Sequence, residues 1–175
     1  MVHLKVFEAF AGVGSQHMAL RNLGVDYEVV GVSEIDKFAH QSYEAIHGET
    51  KNFGDISKLQ PEDLPDFDLF TYSFPCTDLS SAGKQRGFEK GSGTSSSLLW
   101  ECQRLIEGKK PKALLLENVK ALNSAKFRDG FHSWLSFLRG LGYTNYYGVL
   151  NAKDFGLPQN RERVFVVSIL GKHKP

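Results

Sequence analysis

A chain of 175 residues with 41% hydrophobic content is long enough for one domain with its own core and too short for two comfortable ones. Its 21 basic and 20 acidic side chains leave a formal net charge of +1, which excludes a polyanion held by overall charge, so any nucleic-acid contact must be local. The two cysteines, Cys76 and Cys102, lack CxxC spacing, and no run is long enough to span a bilayer; a disulfide framework, a metal site and a membrane role are disfavoured, and a cytoplasmic protein is expected.

The first apolar run, LKVFEAF, predicts a strand that feeds FAGVGS (residues 10–15), a glycine-rich turn opening the helical stretch HMALRNLG. Such a turn lets backbone approach a nucleotide-like ligand beyond the carboxyl end of the strand. The full GxGxxG spacing is absent, and a plain strand-to-helix turn is the competing reading. A second strand, in YEVVGVSEI, ends in SEID (33–36), so that Glu34 stands at a strand tip where a carboxylate can accept both hydrogen bonds of a ribose diol. The helical stretch KFAHQSYEAIHG follows. A third strand is expected to end in GDI (54–56), where Asp55 would accept from an adenine amino group. Each acid taken singly also reads as a surface charge or a helix cap. The ordered set points to an adenosine ligand without phosphate, which disfavours a dinucleotide.

A fourth strand over residues 68–73 leads into Phe74-Pro75-Cys76, placing a thiol at the carboxyl end of a central strand, beside the crevice where α/β sheets bind ligands. An inert core cysteine is the plain alternative. Residues 79–97, with Gly83, Gly87, Gly91 and Gly93 among serines, form an irregular segment whose length within a compact domain suggests a functional loop, with a flexible catalytic loop at about 77–95. After the helical stretch SLLWECQRLIEG, a fifth strand at 113–116 ends in ENV (117–119). A partly dry crevice would favour a proton on Glu117, while capping the next helix is its plainer use. The helical stretch FHSWLSFLRGLG precedes TNYYGVL and RVFVVSIL, which are joined by a loop and so predict an antiparallel hairpin. Just before the last strand, QNRER offers Arg161 and Arg163, readable as an ion-paired strand edge or as a site for a phosphate and a base carbonyl. Strands alternating with crossover helices predict a doubly wound α/β fold, mostly parallel, with that hairpin at its C-terminal end.

In order and spacing, FAGVGS, SEID, GDI, SFPC, ENV and QNRER resemble the motif series of the DNA cytosine-C5 methyltransferases, over nearly the whole chain. The resemblance implies a Rossmann-like methyltransferase domain spanning residues 1–175, with S-adenosylmethionine as cofactor and double-stranded DNA as partner. Phe10 and the backbone of Ala11, Gly12 and Gly14 would meet the adenine and methionine parts, Glu34 the ribose and Asp55 the adenine amino group. Ile35 and Ile56 would sandwich the ring, and Pro75 and Leu98 fall at cofactor-facing positions. Cys76 would attack carbon 6 of a flipped cytosine, with Glu117 at ring N3, Asn118 orienting the site, Arg163 on the base carbonyl and Arg161 supporting it or a phosphate. Ser80, Lys84 and Arg86 on the loop would touch DNA.

Family members usually continue past this point with a target recognition domain and a returning segment. The reading is therefore of an incomplete catalytic domain that needs a further part or a partner chain for target recognition. An RNA cytosine methyltransferase with the same motifs, and an inactive remnant that only binds cofactor, are the alternatives.

Overall fold

The structure, a computed structural model, describes residues 3–75 and 98–172. Cys76, Ser80, Lys84, Arg86 and the expected catalytic loop lie outside the described residues. Strands β1 (Leu4–Ala9), β2 (Tyr27–Ser33), β3 (Leu69–Tyr72), β4 (Ala113–Val119), β5 (Tyr143–Asn151) and β6 (Glu162–Leu170) form one sheet in the order β2-β1-β3-β4-β6-β5. Helices α1 (Ser15–Asn22), α2 (Lys37–His47), α3 (Leu99–Lys109) and α4 (Arg128–Gly140) occupy the four stretches of helical period. The sheet is mostly parallel and closes in an antiparallel pair, as expected. By contact density the chain divides into two compact units, Met1–Ser73 with Glu101–Leu114 and Phe74–Trp100 with Leu115–Pro175.

In the first unit, β1 pairs in parallel with β2 on one side and β3 on the other, which leaves neither of its backbone edges exposed. Val6, Phe7, Glu8 and Ala9 are all buried, the run of consecutive inward positions expected of a strand covered on both faces. Phe7 is the centre of an aromatic cluster, with ring centroids 5.3 Å from Phe67, 5.7 Å from Phe53 and 6.1 Å from Phe70. Gly31 makes room for it: a Cβ there would stand 2.5 Å from the Phe53 ring and 3.2 Å from Phe7. The β1–β2 register slips between Val6 and Phe7, where Val29 gives way to Gly31 as the partner.

The expected third strand is absent. Asn52 forms a single parallel bridge to Val32, after which Gly54, at φ +72°, turns the chain away. Residues 54–56 instead lead into a 3₁₀ turn, Ile56–Lys58, capped by Asp55. Pairing that begins and is broken after one residue cannot extend into a ladder, and so six strands stand where seven were expected.

In the second unit, β5 and β6 pair antiparallel without a break from Tyr143–Leu170 to Asn151–Glu162. Helix α4 buries Phe131, Trp134, Leu135 and Leu138, positions spaced three and four apart on one face. Trp134, fully buried, meets Trp100 edge-on at 5.5 Å, and Phe131 meets Tyr147 edge-on at 5.3 Å. Strand β4 runs to Val119, farther than the expected Leu116, so Glu117 and Asn118 sit within the strand's last turn of pleat and not beyond it.

Trp134→Ala should lower unfolding free energy by about 3–5 kcal/mol through lost burial and an incompletely collapsed cavity. Urea unfolding followed by circular dichroism measures this, and a loss under 1 kcal/mol would show that α4 does not depend on that ring.

Candidate functional site

The carboxyl end of β1 is where the first unit is least ordinary. The chain leaves β1 abruptly, in the left-handed region: Phe10 has φ 56°, Gly12 55° and Gly14 77°. Phe10 pays the steric cost of a side chain at positive φ, which only a turn fixed from elsewhere sustains. The fixing bonds are present: Phe10 N donates to the Ser33 carbonyl at 2.8 Å and Gly14 N to the Ala11 carbonyl at 2.9 Å. Gly12 N donates to Glu34 Oε2 at 2.9 Å, while Glu34 Oε1 accepts from Asp36 N at 2.9 Å. The Glu34 carboxylate is thus aimed by two backbone amides, one on the glycine turn and one on its own loop. Asp36 is a helix cap, accepting from Phe38 N and Ala39 N at the start of α2.

Two residues that sequence reasoning passed over hold this arrangement. Asn52 bridges the strand tip to the next loop: its Oδ1 accepts from Glu34 N at 3.1 Å and Gly54 N at 2.9 Å, and its Nδ2 donates to the Glu34 carbonyl at 2.8 Å. Arg104 on α3 donates to the carbonyls of Leu59 at 2.9 Å, Ile56 at 3.0 Å and Ser57 at 3.3 Å, satisfying the open end of the 3₁₀ turn, and its Nη1 pairs with Glu101 at 2.9 Å. Asn52 had a signal in its position two residues before GDI; Arg104, a helix residue 48 positions from Ile56, had none.

Asp55 caps that turn, its Oδ1 accepting from Ser57 N at 3.0 Å and Ser57 Oγ at 2.8 Å. The Ser57 bonds, with Lys58 beside them, hold its carboxyl below the ordinary range. The helix-cap reading of Asp55 is therefore realised. Of the two isoleucines assigned to one ring, Ile35 is 76% exposed and Ile56 3%, so only Ile35 presents its side chain as the structure stands.

Beneath the glycine turn lies a polar cluster that no motif announced. Tyr43 on α2 donates to Glu8 Oε2 at 2.5 Å, and His17 Nδ1 stands 2.8 Å from the Tyr43 hydroxyl. With the hydroxyl proton committed to Glu8, His17 Nδ1 is the donor in that contact. Burial raises the Glu8 carboxyl to about 6, and burial together with His47 and Arg21 lowers His17 to about 4. Burial also pushes the Tyr43 phenol far above its usual range.

In the second unit, the expected catalytic side chains fall into two bonded pairs. Asn118, 3% exposed, donates from Nδ2 to the Phe74 carbonyl at 3.0 Å, binding the end of β4 to the backbone just ahead of Pro75 and Cys76. Arg163 Nε lies 3.1 Å from Glu117 Oε1, with both side chains about four-fifths buried, and Arg163 Nη1 donates to the Glu162 carbonyl at 2.8 Å. Arg163 is therefore not a strand-edge ion pair with a neighbour; its partner is the other residue named for the site. Glu117 caps no helix. Arg161 is exposed, its backbone N donating to Asn151 Oδ1 at 3.1 Å. Asn151 was not foreseen: it closes the loop between β5 and β6, also bonding Asn160 Oδ1 at 2.7 Å, and so sets where the QNRER segment begins. Pro75 and Leu98 are partly buried.

Cys102 is a buried thiol in α3, pushed well above the usual cysteine range by burial. Among the described residues no cluster of three or more His, Cys, Asp or Glu side chains is placed to hold a metal, and no helix is long and apolar enough to cross a membrane.

An α/β sheet with this strand order, a left-handed glycine turn facing a strand-tip glutamate, and a Glu-Asn strand end bonded to an FPC segment define a methyltransferase-type domain. The chain matches the C-5 cytosine-specific DNA methylase family over residues 4–175, and it belongs to that family. It is 43% identical to the type II methyltransferase M2.ScrFI of Lactococcus lactis subsp. cremoris, in an alignment that covers 98% of this chain and 62% of that protein. It is 44% identical to the type II methyltransferase M.NgoBI of Neisseria gonorrhoeae, covering 93% and 50%. With the orphan methyltransferase M.SPRI of Bacillus phage SPR it shares 41% identity, covering 97% and 38%. The chain thus spans between about a third and under two thirds of the length of these relatives. Among solved structures, S. pombe Dnmt2 methyltransferase superposes with a TM-score of 0.80 at 24% identity, covering 98% of this chain and 50% of that one. Entamoeba histolytica EhMeth gives 0.81 at 18%, covering 100% and 55%. The fold is the Rossmann-like methyltransferase fold.

The buried cluster makes opposite demands on pH. Glu8 binds its proton more tightly when folded, so its contribution to stability is lost as pH rises from 4.5 to about 6. His17 resists its proton when folded, so its cost grows as pH falls from 6.5 to about 4. Glu8→Gln removes the first effect and leaves the second, and its melting temperature should climb more steeply with pH between 4.5 and 6.5 than that of the parent chain. Parallel pH profiles from differential scanning fluorimetry would contradict this.

Proposed function

We propose that the chain is the catalytic part, acting as a single domain, of a DNA cytosine-C5 methyltransferase of the restriction-modification type. It would transfer a methyl group from S-adenosylmethionine to carbon 5 of a cytosine turned out of the duplex. The observation that carries this reading is the bond from Asn118 to the Phe74 carbonyl: it couples two motifs 44 residues apart, at the residue pair preceding Cys76, next to the Glu117–Arg163 pair. The matched family, the C-5 cytosine-specific DNA methylases, supports DNA as substrate.

The residues of the first unit suit such a cofactor. The carboxylates here, Glu34 at the tip of β2 and Asp55 capping its 3₁₀ turn, suit hydroxyls, an amino group and a cation and repel phosphate. A Cβ on Gly12 would meet nothing within 4 Å, so the turn's outer face is open to a ligand. Phe10 with the backbone of Ala11, Gly12 and Gly14, the carboxylates of Glu34 and Asp55, the exposed side chain of Ile35, and Pro75 and Leu98 would hold it. When bound, it supplies an electrophilic methyl group on a sulfonium.

Carbon 5 of cytosine is a poor nucleophile, and the chain's own residues would change that. The Cys76 thiolate forms a bond to carbon 6, and the electrons of the 5,6 double bond move into the ring as Glu117 gives a proton or hydrogen bond to N3. Carbon 5, now enamine-like, takes the methyl group. Loss of its proton to a solvent base restores the double bond and breaks the S–C6 bond, returning the thiolate, while N3 gives its proton back to Glu117. Arg163 would hold the base carbonyl O2 and favour the thiolate, with Arg161 behind it or on a phosphate. Asn118 fixes the backbone that presents Cys76. Ser80, Lys84 and Arg86 would meet the DNA backbone. Target recognition would fall to residues corresponding to the part of the relatives that these 175 residues do not span, on the same polypeptide or on a partner chain.

Fluorine at carbon 5 blocks the final proton loss and traps the adduct. Mass spectrometry of the chain mixed with S-adenosylmethionine, a 5-fluorocytosine duplex and extract from its source, to supply the part that recognises the target, should show a covalent DNA–protein species that Cys76→Ser abolishes and Glu117→Gln slows by about 100-fold. A matched RNA oligonucleotide should give none. An adduct that survives Cys76→Ser, or that forms on RNA alone, would sink the proposal.

A further inference from the structure

The glycine turn does not rest on apolar packing. A Cβ added to Gly14 would stand 2.5 Å from His47 Nε2 and 2.7 Å from Tyr43 Cε2, so the turn's backbone lies directly on an imidazole and a phenol. His47, near the end of α2, has its Nε2 3.0 Å from the Val13 carbonyl, and because a carbonyl only accepts, that nitrogen carries the proton. Its ring stacks on His17 at 4.0 Å between centroids and 12° between planes. His17 donates through Nδ1 to Tyr43, and Tyr43 donates to Glu8, which lies on β1 two residues before Phe10. The turn is therefore gripped from below by one continuous run of side chains that begins on the strand entering it. Among the described residues neither Glu8 Oε1 nor His47 Nδ1 finds a hydrogen-bond partner although both atoms are buried, a cost that an apolar filling would avoid.

We propose that His47 is the positioning residue of the cofactor turn: its Nε2–H fixes the Val13 carbonyl, and the stack on His17, held in turn by Tyr43 and Glu8, fixes His47. The inference rests on the cofactor reading given above. The Val13 carbonyl lies between the two left-handed glycines, so losing its donor frees the peptide planes on either side to rotate. The plane on the N-terminal side, between Gly12 and Val13, adjoins the one that carries the Gly12 amide, so its rotation shifts the bond from that amide to Glu34, the carboxylate assigned to the ribose. His47 acts through the backbone and through Glu34, not by touching the ligand.

The test measures binding of S-adenosylhomocysteine, the stable product analogue, to the full 175-residue chain by calorimetry, with melting temperature and amide hydrogen exchange of the ligand-free turn recorded alongside. His47→Ala should weaken binding by about 10-fold, the effect of one hydrogen bond, and speed exchange at Gly12–Gly14. His47→Gln, whose amide can donate to the same carbonyl, should recover affinity to within about 3-fold of the parent even if it melts as low as His47→Ala. That rescue separates positioning from general stability. Parent-like affinity in His47→Ala overturns the inference and leaves the cofactor reading standing. A parent chain that binds no S-adenosylhomocysteine overturns the cofactor reading, and the inference with it.

Discussion

Strand β1 is bonded along both edges and buried on both faces, and that double confinement governs the rest of the first unit. From Val6 to Ala9 no face of the strand is left for water, and the chain leaves the sheet by reversing its backbone hand at once. Phe10, Gly12 and Gly14 accomplish this at positive φ. The turn then lies with its amides facing the neighbouring strand tip, and Glu34 is drawn to the Gly12 amide.

The same confinement explains the buried acid. Glu8 occupies an inward position that an aliphatic residue would normally fill, and the Tyr43 hydroxyl and the His17 backbone amide offset the burial of its carboxyl only in part. Its tolerance in the core requires the Tyr43 hydroxyl and, behind it, the neutral His17. Polar groups that depend on each other in this way have few alternative packings, which makes them suited to fixing a turn in one shape. In the second unit the corresponding constraint is the buried Asn118, whose amide must find an acceptor and finds the Phe74 carbonyl.

Much of the fold was legible because each element announces itself locally. The four helical stretches carry their apolar residues at three- and four-residue spacing, and the hairpin's two apolar runs are joined without a helix between them. The third strand misled because Phe53 packs on Phe7 like a strand residue, while the decision to stop pairing is made by the positive φ of Gly54, which no periodicity reports. The site was legible in part for the same reason. Glu34, Glu117, Asn118 and Arg163 stand at strand ends, and strand ends are recognisable. Arg104, Asn151 and the His17–His47 stack were not, since each acts on residues brought to it only by folding.

The sequence by itself determined the family, the α/β alternation and the chemical kinds of the residues at the strand tips, because motif order and hydrophobic period are properties of the chain read in one dimension. Tertiary structure alone decided the partners. It gave Arg163 to Glu117, bound Asn118 to Phe74, made Asp55 a cap and set the glycine turn on an imidazole. Hydrogen bonds and close contacts form between residues that are distant along the chain, and their identity depends on distances that no spacing in the sequence encodes.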